Sequence, residues 1–138
     1  METLQTYKSF NENKSIEELE YNITKYITSL ENLKFELHFY KVLLDKPIFK
    51  PHVLNLYEKF VKFKNEINSL NKNSSDLLDE LSSHAHHIIT KMECDNVACD
   101  SFFINRHDTL ESKIFKLKIK IFNFKFRLFQ YIESVIIN

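Results

Sequence analysis

The 138-residue chain contains no glycine and no tryptophan, and it has only two prolines and two cysteines. Phosphate-cradling loops, dinucleotide-binding turns and the serine elbow of hydrolases all need glycine, because glycine adopts positive φ freely and lets a backbone approach a ligand. The lack of glycine therefore excludes these three kinds of site. Both prolines lie within 46–51, so long stretches on either side carry neither helix breaker.

The chain as a whole also lacks an excess of charge of either sign. Nineteen Lys and Arg balance nineteen Asp and Glu, so the net charge gives no general attraction to nucleic acid or to a membrane. No apolar run is typical of a signal peptide or a membrane span, since charged residues interrupt the most apolar segment, 114–137. With only Cys94 and Cys99, the composition predicts a protein of the reducing cytoplasm.

Apolar residues recur every three or four positions along most of the chain, which is the spacing of an α-helix. A first helix is predicted over about 15–45. It opens with Ser15 and Glu18, which have the spacing of a capping box, and it ends where Pro47 removes a backbone donor.

Two further helices are predicted over about 52–93 and 101–137. The polar segment 71–75 allows a break that would give four helices, but the heptad phase continues across it and favours one. Short connections make neighbouring helices antiparallel, so the sequence predicts an all-α fold, an elongated bundle of three long helices with coiled-coil-like packing. We expect a single domain over 15–138 after a flexible N-terminal segment, 1–14.

The third helix carries more apolar residues than one partner helix can cover. Beside its main apolar stripe lies a second one that includes Phe115, Phe122, Phe126 and Phe129. Either this helix packs between the other two, or another copy of the chain covers the excess. The sequence therefore favours protein–protein interaction or self-association, as a homodimer, through these phenylalanines.

Charged residues inside the apolar arcs give a prediction of register. If the hairpins turn near 48 and 97, Glu20 comes level with Lys118 and Glu31 with Lys125, and these pairs would fix how the first and third helices align. By the same reasoning, residues of the second and third helices whose numbers sum to about 193 face each other.

Histidines are concentrated near the turn between the second and third helices, where bundles can build metal sites from inward His and Glu. Metal binding, by iron, zinc or manganese, is the alternative to a protein without a cofactor. Its candidate ligands are His84, His87, His107, Glu80, Glu111 and Glu17. On the helical wheel only His84 and His107 lie near the core, so structural histidines are the competing interpretation. Cys94 and Cys99 lie too far along the chain from His87 and His107 to share a zinc ion with them, which favours two thiols in a loop.

The C-terminal third is basic, with seven Lys and Arg against three Asp and Glu over 101–138. A stripe on the polar side of the third helix consists of Lys113, Lys116, Lys120 and Arg127. A nucleic-acid or membrane-surface binder is the second alternative, although the zero net charge argues against nucleic acid. No catalytic constellation and no small-molecule substrate are evident, so we do not expect an enzyme.

Overall fold

A computed structural model of the chain describes the backbone of residues 6–91 and 97–138. It describes the side chains of residues 6–88 and 101–138. Three α-helices follow one another: α1 comprises Ile16–Leu43, α2 comprises Leu56–Lys91 and α3 comprises Val97–Val135. The predicted all-α bundle of three long helices is confirmed.

The start of α1 is fixed by the predicted capping box. The Ser15 hydroxyl accepts from the Glu18 backbone N–H at 3.1 Å, and the Glu18 carboxylate accepts from the Ser15 N–H at 3.4 Å. Glu17 and Glu18 also place negative charge in the first turn, where the helix dipole favours it. Caps of this kind contribute about 0.5 to 2 kcal/mol to helix stability.

The connection from α1 to α2 is longer than the sequence predicts. His52 and Asn55 have φ of 64° and 60°, a left-handed conformation that cannot continue a helix. Because the chain has no glycine, this conformation occurs at His and Asn, which tolerate it better than most residues. The predicted start of the second helix at 52 is therefore four residues too early.

The second helix runs through 71–75 without a break, and the alternative of four helices is wrong. Ser74 is fully buried in the middle of this polar segment, and its hydroxyl donates to the Leu70 carbonyl at 2.8 Å. Lys34 of α1 donates to the Ser75 hydroxyl at 2.7 Å. These bonds satisfy the hydroxyls of Ser74 and Ser75, two of the polar side chains that made the segment resemble a loop.

The third helix begins at Val97, four residues before the predicted start, and ends at Val135, two residues before the predicted end. Its end is fixed by the α1–α2 connection, since the Lys50 N–H donates to the Val135 carbonyl at 2.7 Å and Phe49 forms an antiparallel bridge with Ile136. These contacts hold the end of α3 against the connection between α1 and α2.

Ion pairs show how α2 and α3 align. Lys113 lies 2.9 Å from Glu80, and Arg127 lies 3.0 Å from Glu66. Each pair of numbers sums to 193, so the two helices are antiparallel with the predicted register. The backbone of α2 also approaches that of α1 closely. Since α3 contacts α1 through side chains as well, all three helices share one core.

The alignment of α1 with α3 differs from the prediction. Lys125 pairs with Glu36 at 3.2 Å, and the Tyr40 and Phe129 rings lie 5.4 Å apart. The expected pairing of Lys125 with Glu31 is wrong by five residues, and the same shift moves Glu20 away from the level of Lys118. Since α1 and α3 are parallel and not joined by a hairpin, small changes in both connections add up in their register.

One apolar core runs through all three helices. Next to the α1–α2 connection it is filled with rings, and we call this the aromatic end: Phe49, Phe60, Phe63, Phe124 and Tyr131. Its ring centroids lie 4.6 to 6.1 Å apart, and three of the four pairs have the steep interplanar angles of the edge-to-face contacts that aromatic pairs prefer. No helix, over the residues described, has an apolar stretch sufficient to cross a membrane.

Candidate functional site

Two histidines occupy core positions at the other end of the bundle. His84 on α2 is 0% exposed and His107 on α3 is 1% exposed, and their ring centroids are 5.7 Å apart. His84 follows Leu81 by one turn and His107 precedes Leu110 by one turn, so each continues the apolar stripe of its helix. The helical repeat that buries leucine elsewhere buries imidazole here.

The two imidazoles are neutral at neutral pH. Burial lowers the pKa of His84 to about 4, with further lowering by His107 and Arg106. Burial also lowers the pKa of His107, although Glu111 and Asp108 oppose this effect. None of the four ring nitrogens has a hydrogen-bond partner among the residues that the structure describes. A buried polar atom without a partner costs about 1 to 3 kcal/mol, so this arrangement calls for a functional explanation.

A carboxylate lies beside this pair and is held by three donors. Glu111 Oε1 accepts from the Tyr7 hydroxyl at 2.6 Å and from Asn11 Nδ2 at 3.2 Å, and Oε2 accepts from the Tyr26 hydroxyl. Burial raises the pKa of Glu111, but these hydrogen bonds outweigh burial and lower it overall. Glu111 is therefore ionised at neutral pH, and its Oε2 lies 3.5 Å from His107 Nε2.

The segment before α1 supplies part of this environment. Asn11 is fully buried and also donates to Asp108 at 2.6 Å, and Ser9 donates to the same carboxylate at 2.6 Å. The Tyr7 ring packs edge-on against Phe115 at 5.9 Å. The predicted flexibility of 1–14 stays a prediction, and residues 1–5 lie outside the described part of the chain.

The six predicted metal ligands do not all come together. His87 and Glu17 are exposed, and Glu80 is engaged with Lys113. Among them, His84 lies next to His107, and His107 lies next to Glu111. The described residues contain no group of three or more His, Cys, Asp and Glu side chains that could hold a metal ion. Cys94 lies outside the described residues, as does the Cys99 side chain.

Sequence reasoning missed the residues that hold Glu111. Tyr26 has the spacing of the apolar repeat of the first helix, and the available signal is that a buried tyrosine hydroxyl needs a partner. Tyr7 and Asn11 precede the first helix, where no periodicity indicates a tertiary contact. Their roles depend on how the chain folds back onto α3.

The four phenylalanines predicted to form an interface, Phe115, Phe122, Phe126 and Phe129, are here called the aromatic face. Phe122 is 55% exposed and Phe129 is 46% exposed, whereas Phe115 and Phe126 are partly buried. The N-terminal segment covers Phe115 and α1 contacts Phe129, so Phe122 is the most exposed ring of the face.

The predicted basic stripe faces acidic groups of α2. Arg127 makes two hydrogen bonds with Glu66, at 3.0 and 3.1 Å, and Lys113 pairs with Glu80. Lys116 and Lys120 line a shallow groove between α2 and α3. Two of the four cations of the stripe are thus neutralised within the chain.

Comparisons with known protein families, with curated proteins and with solved structures found no match. The functional argument therefore depends on this chain's own residues. Two features set the described residues apart from an ordinary helical bundle. One is the exposed aromatic face, and the other is the buried pair of histidines beside an ionised carboxylate.

Proposed function

We propose that this protein acts by self-association, with the aromatic faces of two copies packed against each other. The observation that carries the proposal is the exposure of Phe122 and Phe129 on α3. They are seven residues apart, which is two helical turns, so both rings lie along one line on the helix surface. Burying such rings contributes about 1.5 to 3 kcal/mol for each fully buried side chain.

The exposed surface extends from α3 onto α1. The Tyr40 ring lies between those of Phe39 and Phe129, at centroid distances of 6.1 and 5.4 Å, and Phe39 is 53% exposed. The exposed rings of Phe39 and Phe129, on two helices, thus flank the same buried ring of Tyr40. Contiguous exposed apolar surface of this kind is typical of protein interaction sites.

Charge supports a second copy as the partner. The zero net charge produces no long-range repulsion between copies. Lys125, which lies between Phe122 and Phe129 in sequence, is already paired with Glu36, so it does not present an unpaired cation to an apolar interface. A twofold axis across α3 would set Phe122 against the partner's Phe129 and the reverse, an isologous contact.

Sedimentation equilibrium over a wide range of protein concentration tests this proposal. We expect a reversible dimer for the native chain and a monomer for the double variant Phe122→Asp, Phe129→Asp. The control is Leu54→Asp in the α1–α2 connection, since Leu54 is 85% exposed and lies off the aromatic face. It should dimerise as the native chain does.

Circular dichroism must show unchanged helix content in both variants, because the changed side chains lie at the surface. A native chain that stays monomeric at the highest attainable concentration would contradict the proposal. So would a dimer that persists in the double variant.

The nucleic-acid or membrane-surface alternative has less support. Two of its four cations, Lys113 and Arg127, are in ion pairs with α2, which reduces the charge available for phosphate groups. Self-association requires no such rearrangement of paired groups. It also requires no catalytic residues, in keeping with the expectation that the protein is not an enzyme.

A further inference from the structure

We propose that residues 6–14, here called the strap, limit self-association by covering part of the aromatic face, and that a second copy of the chain displaces them. This inference rests on the proposed self-association and adds how that association is regulated. The observation that carries it is the packing of the Tyr7 ring against Phe115, one of the four phenylalanines of the aromatic face.

Three rings of the aromatic face lie along one line of α3. Phe115, Phe122 and Phe129 follow one another at intervals of seven residues, which is two helical turns. Phe122 and Phe129 are exposed, whereas Phe115 is partly buried. The helical repeat gives the three positions the same direction, so the difference depends on what packs against α3 from outside.

The Tyr7 ring occupies the place at Phe115 that a ring of a second copy would need. The two centroids are 5.9 Å apart and the planes meet at 62°, the edge-to-face contact that aromatic pairs prefer. Two groups cannot cover the same surface at once, so the contact with Tyr7 and a contact with a partner at Phe115 exclude each other. The strap is therefore an internal competitor of the second copy.

Side chains hold the strap in one position on α3. The Tyr7 hydroxyl donates to Glu111 at 2.6 Å, and the Ser9 hydroxyl and the Asn11 amide donate to Asp108 at 2.6 Å each. Both acceptors are carboxylates, which accept stronger hydrogen bonds than neutral groups do. These bonds place the Tyr7 ring where it covers the aromatic face.

The strap can leave α3 without opening the core. Of residues 6–14 only Asn11 is buried, and Phe10 is exposed. Among the residues that the structure describes, the apolar core and the side chains packed against it begin at Ile16. Segments with few buried apolar contacts open at a lower free energy than the core does. A second copy therefore needs to displace only the strap to reach Phe115.

Sedimentation equilibrium of the native chain and of Tyr7→Ala tests the proposal. We expect the dimer Kd of Tyr7→Ala to be at least about tenfold smaller, because each copy then adds the ring of Phe115 to the interface. The matched control is Tyr57→Ala, which removes an exposed tyrosine of α2. Its Kd should stay within about threefold of the native value, as for most surface substitutions.

A second variant shows whether the gain depends on Phe115. In the double variant Tyr7→Ala, Phe115→Ser the strap is loosened but the ring it covered is gone, so the Kd should return to within about threefold of the native value. Tyr7→Phe keeps the ring and loses only the bond to Glu111, and its gain in affinity should be smaller than that of Tyr7→Ala.

NMR of the native chain decides the matter without any variant, should a variant lose helix content. The nuclear Overhauser effect between the Tyr7 and Phe115 rings should be present in dilute, monomeric protein and disappear from the dimer.

The outcomes separate this inference from the proposed function. If the native chain dimerises and Tyr7→Ala has an equal or larger Kd, the strap does not limit association, although self-association stands. A contact between Tyr7 and Phe115 that persists in the dimer would overturn the inference in the same way. A native chain that never dimerises, with Tyr7→Ala also monomeric, would overturn both.

Discussion

The two ends of the bundle fill the core with different kinds of side chain. The aromatic end is filled with rings from α2, α3 and the α1–α2 connection, which contact each other edge to face. The other end, here called the histidine end, consists of His84, His107, Glu111, Tyr26 and Asn11. It contains buried nitrogen and oxygen atoms at positions where the helical repeat calls for apolar side chains.

The difference has an energetic consequence. Burial of aromatic rings is favourable at any pH, because no group at the aromatic end titrates near neutrality. The histidine end is stable only while both imidazoles are neutral and the carboxylate is charged. The stability contributed by the aromatic end should therefore not depend on pH near neutrality, whereas that contributed by the histidine end should.

The largest effect should follow the loss of a ring at the aromatic end. Phe124 is almost fully buried and packs against Phe63 at 6.0 Å. We expect Phe124→Ala to lower the free energy of unfolding by about 3 to 5 kcal/mol, because it leaves a cavity as well as losing apolar burial. Urea denaturation measures the change, which should be the same at pH 7.5 and at pH 5.5. A loss below about 1 kcal/mol would mean that this end is not tightly packed.

A smaller effect is expected from removing the carboxylate of the histidine end. Glu111→Ala leaves the donors of Tyr7, Tyr26 and Asn11 without their acceptor, and we expect a loss of about 2 to 3 kcal/mol. Glu80→Ala is the matched control, because Glu80 is in an exposed ion pair with Lys113 on the same bundle. Its loss should stay below about 1 kcal/mol. Equal losses in the two variants would show that burial of Glu111 contributes nothing.

The smallest effect is the loss of stability in weak acid. The pKa of His84 is about 4 in the folded chain, against 6.5 for an unperturbed histidine, so between these values the unfolded chain binds more protons than the folded one. Stability is therefore fully present above pH 6.5 and falls as the pH falls toward 4. We expect a loss of about 1 to 2 kcal/mol between pH 7.5 and 5, measured by urea denaturation.

The His84→Phe variant sharpens this measurement, because phenylalanine cannot be protonated. The pH dependence of its unfolding free energy should be flatter than that of the native chain. The exposed His38 gives the control, since His38→Phe should leave the slope unchanged. If His84→Phe and the native chain lose stability in parallel, the acid response does not come from the buried pair.

Much of the fold could be predicted because its causes are local. The three- and four-residue spacing of apolar positions predicted all three helices, and the continuous phase through 71–75 correctly favoured one helix there. The helical wheel also placed His84 and His107 near the core. Because α3 starts at Val97, soon after α2 ends at Lys91, the sequence could predict which residues of those helices face each other, and the predicted register is confirmed by their ion pairs.

Predictions failed where the cause lies outside the local sequence. Lys125 pairs with Glu36 instead of Glu31 because the lengths of both connections set the alignment of α1 with α3. The flexible lysine side chain can pair with any carboxylate within its reach. The late start of α2 depends on the left-handed conformation of His52 and Asn55, which a residue type permits but does not require.

The sequence by itself determined the helices, the apolar seam and the burial of the two imidazoles, since a helix presents its residues at a fixed angular step. Only the tertiary structure decided that Tyr7 and Asn11, from before α1, and Tyr26 of α1 come together to hold Glu111. Those contacts join residues as many as 104 positions apart. They depend on connection lengths and on the direction in which the chain folds back, and helical periodicity carries no information about either.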